Sequence, residues 1–308
     1  MMLLGQSHKA KAVGITCVGG NTKLDNVVMN NLRVLKLYNQ LGKVPVYKGC
    51  SQPLVSIHPS QATENSSVHG EDGMGGHPDF FPEASLDLLD FVEEDHAVNG
   101  IIKLSKKYTG KLKIVATGPL TNIAMAVKLD PELPSRLVGI YIMGGTRFAQ
   151  GNCTPAAEFN FCMDPEAVFI TLDSFSHKCP IHLVNWEYTL ENSLPWNYFD
   201  DLFSGDQNDR KKFAHMVTRP LDVFSRDTDR DCSGGMVLCD AYAMSIALDS
   251  SIGLKPKQIK VTIELGGHHA RGHVVVDYCN KSDNFSTITV YDSFDFEKYH
   301  NLLKETFQ

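Results

Sequence analysis

The 308-residue sequence lacks the features of membrane proteins and of proteins that bind nucleic acids. Its 29 basic residues are scattered and outnumbered by 36 acidic ones, giving a net charge of −7. Nucleic acids and anionic membrane surfaces bind basic faces, so neither is an expected partner. No apolar run approaches the roughly 20 residues of a membrane-spanning helix. Only four apolar residues precede Gly5, too few for a signal peptide. We therefore expect a cytoplasmic protein.

The sequence also lacks paired cysteines. Its eight cysteines stand at positions 17, 50, 153, 162, 179, 232, 239 and 279, and no two form a CxxC pair. In a chain of this length, such wide spacing indicates reduced thiols and argues against a disulfide framework or a zinc site.

A glycine-rich phosphate-binding loop is missing as well. The turn VGGN at 18–21 is not GxGxxG, and no GK[ST] follows it. A tight turn between a strand and a helix explains both glycines. Asn21 fits two interpretations, because an amide at a strand end can bind a sugar hydroxyl or simply complete the turn.

What the sequence does contain is an alternation of strands and helices. Apolar segments at 10–20, 43–49, 111–118, 138–145 and 180–187 predict strands, and most are separated by stretches with helical spacing, including one near 86–108. This pattern predicts an α/β fold with an open, mostly parallel, doubly wound sheet in a single domain, 1–308. Residues 188–250 indicate a helical insertion, and the last segments indicate a short antiparallel part.

Polar and glycine-rich residues follow four of the predicted strands. They are VGGN (18–21), ATGPLTN (116–122), MGG (143–145) and NWE (185–187). In an open α/β sheet the ligand binds beyond the carboxyl ends of the strands, so we expect these segments to meet in one site.

The stretch NCTPAAEFNF at 152–161 places three polar side chains after MGG: Asn152, Glu158 and Asn160. If the segment is extended, Glu158 and Asn160 point to the same side and could bind adjacent hydroxyl groups. The alternative is a cluster of turn and capping residues before a helix that begins at Asp164-Pro165.

Three further residues lie in suggestive surroundings. Asp240 stands in an apolar helical run, where a carboxylate needs a cation or a polar partner. Cys239 beside it has no base nearby in sequence. His69 belongs to VHGEDGMGG at 68–76, which is either a lid over a substrate or a surface loop.

Seven segments in order resemble the inosine–uridine preferring nucleoside hydrolases: GITCVGGN, HGEDGMGG, ATGPLTNIA, IYIMGG, GNCTPAAEFNFCMDPEA, CDAYAM and ARGHVVVD. The resemblance implies an open α/β hydrolase that cleaves the N-glycosidic bond of ribonucleosides of the inosine or uridine type. It also implies a role in nucleoside salvage, a bound calcium ion and a possible homo-oligomer.

The resemblance implies roles for individual residues. The backbone carbonyl of Thr117 and the carboxylate of Asp240 would bind calcium. Asn21 and Asn160 would bind the ribose diol. The 5′ side of the ribose would be positioned by Asn152, Glu158 and the backbone of Met143.

The sequence departs from the family pattern at two places. It has no DTDxGxDD segment, which in the family supplies two calcium-binding carboxylates and the water-activating base, so we expect the domain to be N-terminally incomplete and this chain to be inactive or very weak. Cys239 stands where many members carry a histidine, and no catalytic residue is assigned. A non-catalytic nucleoside- or ribose-binding relative, or a truncated isoform, is the alternative. Trp186 could stack on a base or belong to the core.

Overall fold

The computed structural model describes residues 1–5, 8–55, 69–77, 79–205, 208–227 and 234–308. Its strands are β1 (Ile15–Cys17), β2 (Val46–Lys48), β3 (Val92–Glu93), β4 (Leu112–Ala116), β5 (Leu137–Met143), β6 (Ile181–Val184), β7 (Leu194–Pro195), β8 (Gly235–Met236), β9 (Gly253–Leu254), β10 (Lys257–Ile263), β11 (Val274–Val276), β12 (Ser286–Val290) and β13 (Ser293–Phe294).

The α-helices of the described residues are α1 (Met2–Gly5), α2 (Leu24–Leu37), α3 (Ala97–Lys107), α4 (Thr121–Leu129), α5 (Phe159–Met163), α6 (Pro165–Phe175), α7 (Trp186–Glu191), α8 (Trp196–Leu202), α9 (Asp209–Asp227), α10 (Cys239–Leu248) and α11 (Phe296–Thr306). None of the helices in these ranges is long and apolar enough to cross a membrane.

Two mostly parallel sheets form the framework. The larger has six strands in the order β11-β10-β12-β6-β5-β4, and β10 runs antiparallel to both of its neighbours. The smaller has three parallel strands in the order β1-β2-β3. The α/β class, the parallel strands and the antiparallel C-terminal part are confirmed.

Strand β5 shows why the large sheet is covered on both faces. Ile140 and Ile142 pack into a core with α3, α4 and α6. Tyr141 and Met143 belong to a second core with α7, α8, α10 and α11. Because successive side chains of a strand point to opposite faces, an almost continuous apolar run such as this one needs helices on both sides.

The predicted helix near 86–108 is wrong in its first half. Residues Leu86–Phe91 form a 3-10 helix, β3 follows, and α3 begins only at Ala97. The side chain of His96 caps α3 by accepting a hydrogen bond from the Val98 N–H. Because β3 has only two residues, it is too short to show the alternation of apolar and polar residues that predicts a strand. It forms by pairing with β2, which is a tertiary contact.

The single predicted sheet is divided, and Asn122 connects its two parts. In the described residues, β1 and β4 are end strands of different sheets. Asn122, early in α4, is buried and donates from Nδ2 to the Cys17 carbonyl over 2.8 Å. Its Oδ1 accepts from the Cys50 N–H over 2.9 Å. One amide thus bonds to the residues that end β1 and follow β2.

Candidate active site

The site begins at the carboxyl end of β5, where two glycines bend the backbone. Gly145 has a φ of +73°, a conformation that other residues adopt only with strain. A Cβ built on it would lie 2.7 Å from the ring of Phe161, so the backbone rests directly on that ring. This turn directs the Gly145 N–H to Glu158 Oε2, which accepts it over 2.7 Å.

Glu158 is the N-cap of α5, so the backbone is extended at Glu158 and helical from Phe159, and the interpretation of one extended segment through Asn160 is wrong. Its Oε1 accepts from the Asn160 N–H over 2.9 Å, and its Oε2 accepts from the Phe161 N–H over 3.2 Å. The first N–H groups of a helix have no partner within the helix, and a carboxylate at the N-cap position bonds to them. The capping alternative therefore describes the local structure correctly: the predicted helix begins at Pro165 as α6, and the short helix α5 precedes it.

Asn160 is buried in the first turn of α5 and faces β5. Its Nδ2 donates to the Met143 carbonyl over 3.2 Å. Asn152 is exposed, and its Oδ1 accepts from the Phe159 N–H over 2.8 Å. The structure therefore brings Met143, Asn152, Glu158 and Asn160 together, joined by hydrogen bonds around the start of one short helix.

Asp240 lies in the first turn of α10 and its carboxylate is near that of Glu158. The side chain is reached by solvent, which corrects the expectation of a carboxylate enclosed in an apolar run. The protein packed around it still removes hydration, and together with the charge of Glu158 this raises the pKa of Asp240 to about 7.

Burial also raises the pKa of Glu158 to about 7, although three N–H groups favour its ionised form. The charge of Glu187 adds to the rise. Acidic groups therefore surround this end of β5, and they favour positive charge on a ligand bound there.

Glu187 is a residue whose role the sequence did not reveal. It is buried and accepts hydrogen bonds from the Phe148 N–H over 2.8 Å, from Thr146 Oγ1, and from Asn185 Nδ2 over 2.5 Å. These contacts fix the segment after MGG against the start of α7. The NWE segment indicated from sequence that this region belongs to the site. It did not show which groups donate hydrogen bonds to Glu187.

Asn21 and Thr117 follow β1 and β4, and both are exposed. Contacts between their neighbours bring the two strand ends together. A Cβ on Gly118 would lie 3.3 Å from Val18, and one on Gly20 would lie 3.2 Å from Pro119 and 3.9 Å from Phe159. The predicted meeting of the strand ends is therefore visible, with Asn21 close to the start of α5.

The remaining candidates lie around this site. The described part of VHGEDGMGG, from His69 onward, is bound to α2 and its N-terminal turn, since Thr22 Oγ1 donates to the Glu71 carbonyl over 2.8 Å. Its role as a lid stays a prediction. Trp186 donates its backbone N–H to the Gly145 carbonyl, and its side chain packs against the second core. Burial raises the pKa of Cys239 to about 12, which opposes a nucleophilic thiolate.

The described residues do not form a complete calcium site. Among them, no three His, Cys, Asp or Glu side chains are grouped so that they could hold a metal ion. Calcium takes about six to eight oxygen ligands, and the expected protein ligands are one carbonyl, of Thr117, and one carboxylate, of Asp240. These two alone do not fit the ion, and calcium binding stays a prediction.

This arrangement can bind a polyhydroxylated ligand. Carboxylate and amide oxygens accept hydrogen bonds from hydroxyl groups, and the amide of Asn21 also offers donors. The acidic surroundings stabilise a ligand that becomes positively charged as it reacts.

Known proteins with similar sequences share one activity in their names. The family model described as "Inosine-uridine preferring nucleoside hydrolase" matches residues 1–301. The inosine-uridine preferring nucleoside hydrolase of Crithidia fasciculata is 29% identical over 313 aligned positions, which cover 100% of this chain and 92% of that protein. The protein of the same name from Leishmania major is 30% identical and covers 93% of this chain and 86% of its own length.

A solved structure agrees with the sequences. An inosine-guanosine nucleoside hydrolase superposes on this chain with a TM-score of 0.86 and 28% identity. The match covers 99% of this chain and 94% of that one.

Proposed function

Because the chain belongs to the inosine-uridine preferring nucleoside hydrolase family, we propose that its site binds a ribonucleoside through the ribose and that the reaction of this site is hydrolysis of the N-glycosidic bond. The ribose diol lies toward Asn21 and Asn160. Its 5′ side lies toward Asn152, Glu158 and the backbone of Met143.

The observation that carries the proposal is the hydrogen-bonded group at the start of α5. Asn160 and Glu158 are both buried, yet each belongs to a site that is open at the strand ends. Their partners, the Met143 carbonyl and the Gly145 N–H, are backbone groups whose positions are set by β5 and its glycine turn. The polar groups are therefore held rigidly before a ligand arrives, which lowers the entropy lost on binding.

The charges of the site suit the proposed reaction. Cleavage of an N-glycosidic bond develops positive charge on the ribose, as cleavage of an O-glycosidic bond does. Burial raises the pKa of both Asp240 and Glu158, and repulsion by the charge of Glu158 raises the pKa of Asp240 further. A positive charge between them relieves that repulsion, so these carboxylates bind the transition state more strongly than the neutral substrate.

We expect the 308-residue chain by itself to hydrolyse nucleosides weakly or not at all. Hydrolysis needs a base that activates water, and no described residue is assigned that role. Two protein ligands leave most of a calcium coordination shell to water. We therefore expect the Kd for calcium to be above about 1 mM. Binding of a nucleoside without its hydrolysis would agree with the alternative of a ribose-binding relative.

The test combines binding and turnover on the purified chain. Calorimetry measures inosine and uridine binding with and without calcium, and chromatography measures release of the free base. We expect binding that Asn160→Ala weakens at least about tenfold, through loss of a buried polar contact. The control is Asn301→Ala, at an exposed position of α11.

The binding result tests the proposed site, and the turnover result tests the expected weak activity. Equal affinity of wild type and Asn160→Ala, or no nucleoside binding at all, would overturn the proposed site. Turnover in the usual range of enzymes, about 1 s⁻¹ or faster, would overturn the expectation of weak activity and leave the site intact.

A further inference from the structure

Cys153 and Cys162 border the segment of the chain that carries Glu158 and Asn160 of the proposed ribose site. The sulfur atoms of Cys153 and Cys162 are 2.7 Å apart. Ordinary non-bonded contacts between heavy atoms are about 3.5–4.0 Å long, and a disulfide bond is about 2.05 Å long. The two sulfur atoms are thus closer to bonding distance than to ordinary contact.

The backbone around both cysteines is fixed. The N–H groups of Asn152, Cys153 and Thr154 all point to the Ala157 carbonyl, which they approach to 3.1–3.3 Å. Cys162 donates its N–H to the Glu158 carbonyl over 2.8 Å within α5. A Cβ on Gly272 would lie 3.1 Å from the Cα of Cys162, so the neighbouring hairpin packs tightly against that residue. A bond between the sulfur atoms needs a side-chain shift of about 0.7 Å rather than a change of fold.

We propose that Cys153 and Cys162 form a reversible disulfide bond that fastens the segment carrying Asn152 to the helix carrying Asn160. The segment and the helix belong to the proposed ribose site, so the effect on nucleoside binding rests on the proposed function. Formation of the bond itself does not.

The two thiols differ in exposure, and this sets the order of the chemistry. Cys153 is half-buried and Cys162 is buried. Because it is the more exposed thiol, Cys153 is the sulfur that a peroxide reaches first, while the hydrogen bond with Cys153 and burial raise the pKa of Cys162 and keep that sulfur protonated. A peroxide oxidises the Cys153 thiolate to a sulfenic acid, and the O–O bond breaks as hydroxide leaves.

The second step closes the bond. The Cys162 sulfur attacks the Cys153 sulfur, and the sulfenic hydroxyl leaves with the Cys162 proton as water. The two sulfur atoms together lose two electrons, which the peroxide accepts. A dithiol reverses the change by returning two electrons and two protons.

The disulfide makes the site more rigid. It closes a loop over residues 153–162 that contains Glu158 and Asn160, and Asn152 stands directly before that loop. A site that is already in its bound conformation loses less entropy when the ligand arrives. We expect the oxidised form to bind inosine about threefold or more tightly than the reduced form.

The sequence makes the bond simple to detect. Trypsin cleaves after Arg147 and Lys178 and at no position between them, so both cysteines lie in one peptide, 148–178, without a third. The full chain is treated with hydrogen peroxide, blocked with N-ethylmaleimide, digested and weighed by mass spectrometry. We expect this peptide to carry no maleimide and to weigh about 2 Da less than the reduced peptide, with both changes reversed by dithiothreitol.

Matched variants separate the outcomes. Cys153→Ser leaves a single thiol in the peptide and is expected to bind inosine equally with and without peroxide. Cys279→Ser changes an exposed cysteine in another part of the chain and is expected to behave as wild type. Two maleimides on the wild-type peptide after peroxide, or only added oxygen atoms, would overturn the proposal even if a variant failed to fold. Absence of inosine binding in both redox states would contradict the proposed function and leave the disulfide result standing.

Discussion

Two opposing effects act on the protonation of the Glu158 carboxyl group. Its carboxylate accepts three backbone N–H groups, and its side chain is only 2% exposed. Hydrogen bonds favour the ionised form, while burial favours the protonated one. Burial prevails, and the pKa of Glu158 rises from 4.5 to about 7. The residue therefore links the stability of the site to pH.

We predict that Glu158 lowers the stability of the protein as pH rises from about 4.5 to 7. Below this window, Glu158 is protonated in the folded and the unfolded chain. Within it, the unfolded chain loses the proton while the folded chain keeps it, so the free energy of unfolding falls by about 3 kcal/mol. Above it, the loss is complete. Urea unfolding of wild type and Glu158→Gln across this range measures the difference, because the variant lacks the ionisable group.

A second variant provides the control for this pH dependence. Glu297→Gln changes an exposed acid in the first turn of α11 and is expected to follow the wild-type profile. Parallel profiles for wild type and Glu158→Gln would show that the carboxyl group has an ordinary pKa in the folded protein.

The residue types of the site could be predicted from sequence, but their geometry could not. The quoted motifs identified Asn152, Glu158 and Asn160, and the capping alternative anticipated the hydrogen bonds that Glu158 makes. The charge of Glu187 near Glu158 was not predictable, because the two acids are brought together by the neighbouring ends of β5 and β6.

At the scale of elements, the turn after β5 decides whether α5 can approach the sheet. Gly144 and Gly145 both lie against the ring of Phe161, and side chains there would meet it at 2.6 and 2.7 Å. Phe161 is fully buried, so the ring has no space to withdraw. Because Gly144 and Gly145 have no side chains, α5 can pack directly against the end of β5.

We predict that Gly145→Ala lowers the free energy of unfolding by about 3 kcal/mol, from backbone strain and overpacking together. Because the Gly145 N–H would also move away from Glu158, nucleoside affinity should fall at least about tenfold. Thermal or urea unfolding and calorimetric binding measure the two effects.

Gly267 offers a matched comparison, because it has a φ of +76° and no heavy atom within 4 Å of an added Cβ. Gly267→Ala should show the strain alone, a loss of about 1–2 kcal/mol with unchanged binding. If the two variants lost equal stability, contact with Phe161 would not be what restricts Gly145.

Strands that lie in apolar segments were predictable, including the short strands β1 and β2, whereas β3 and α5 were not. β4, β5 and β6 lie where the apolar segments predicted them, because each is covered on both faces. β3 and α5 have two and five residues, and each depends on a partner distant in sequence or on a capping side chain. Asp164 shows the same limit, since it caps α6 and also accepts from Thr121 Oγ1 and the Leu54 N–H.

At the scale of the whole molecule, the division of the sheet makes Asn122 a structural connection. Its amide is 3% exposed and bonds to the backbone at the ends of β1 and β2, while its helix follows β4. The sequence showed this residue only as part of ATGPLTN. Its role depends on two strands that are over 60 residues away along the chain.

We predict that Asn122→Ala lowers the free energy of unfolding by about 2 kcal/mol, because the Cys50 N–H and the Cys17 carbonyl lose a buried partner. Hydrogen exchange should show faster exchange in β1 and β2 than in β5 and β6 of the variant. Asn301→Ala, at an exposed helical position, should change stability by less than about 0.5 kcal/mol. Uniform loss of protection in both sheets would mean that they open as one unit.

The division of the sheet also bears on how a ligand and the fold affect each other. Asn21 follows a strand of the small sheet, whereas Asn160 is bonded to the end of β5 in the large one. A ribose that contacts both residues spans the boundary between the sheets. By thermodynamic linkage, the ribose then stabilises their association by the same factor by which that association strengthens ribose binding. The nucleoside would connect the two sheets reversibly, and its affinity would report the free energy with which the two sheets associate.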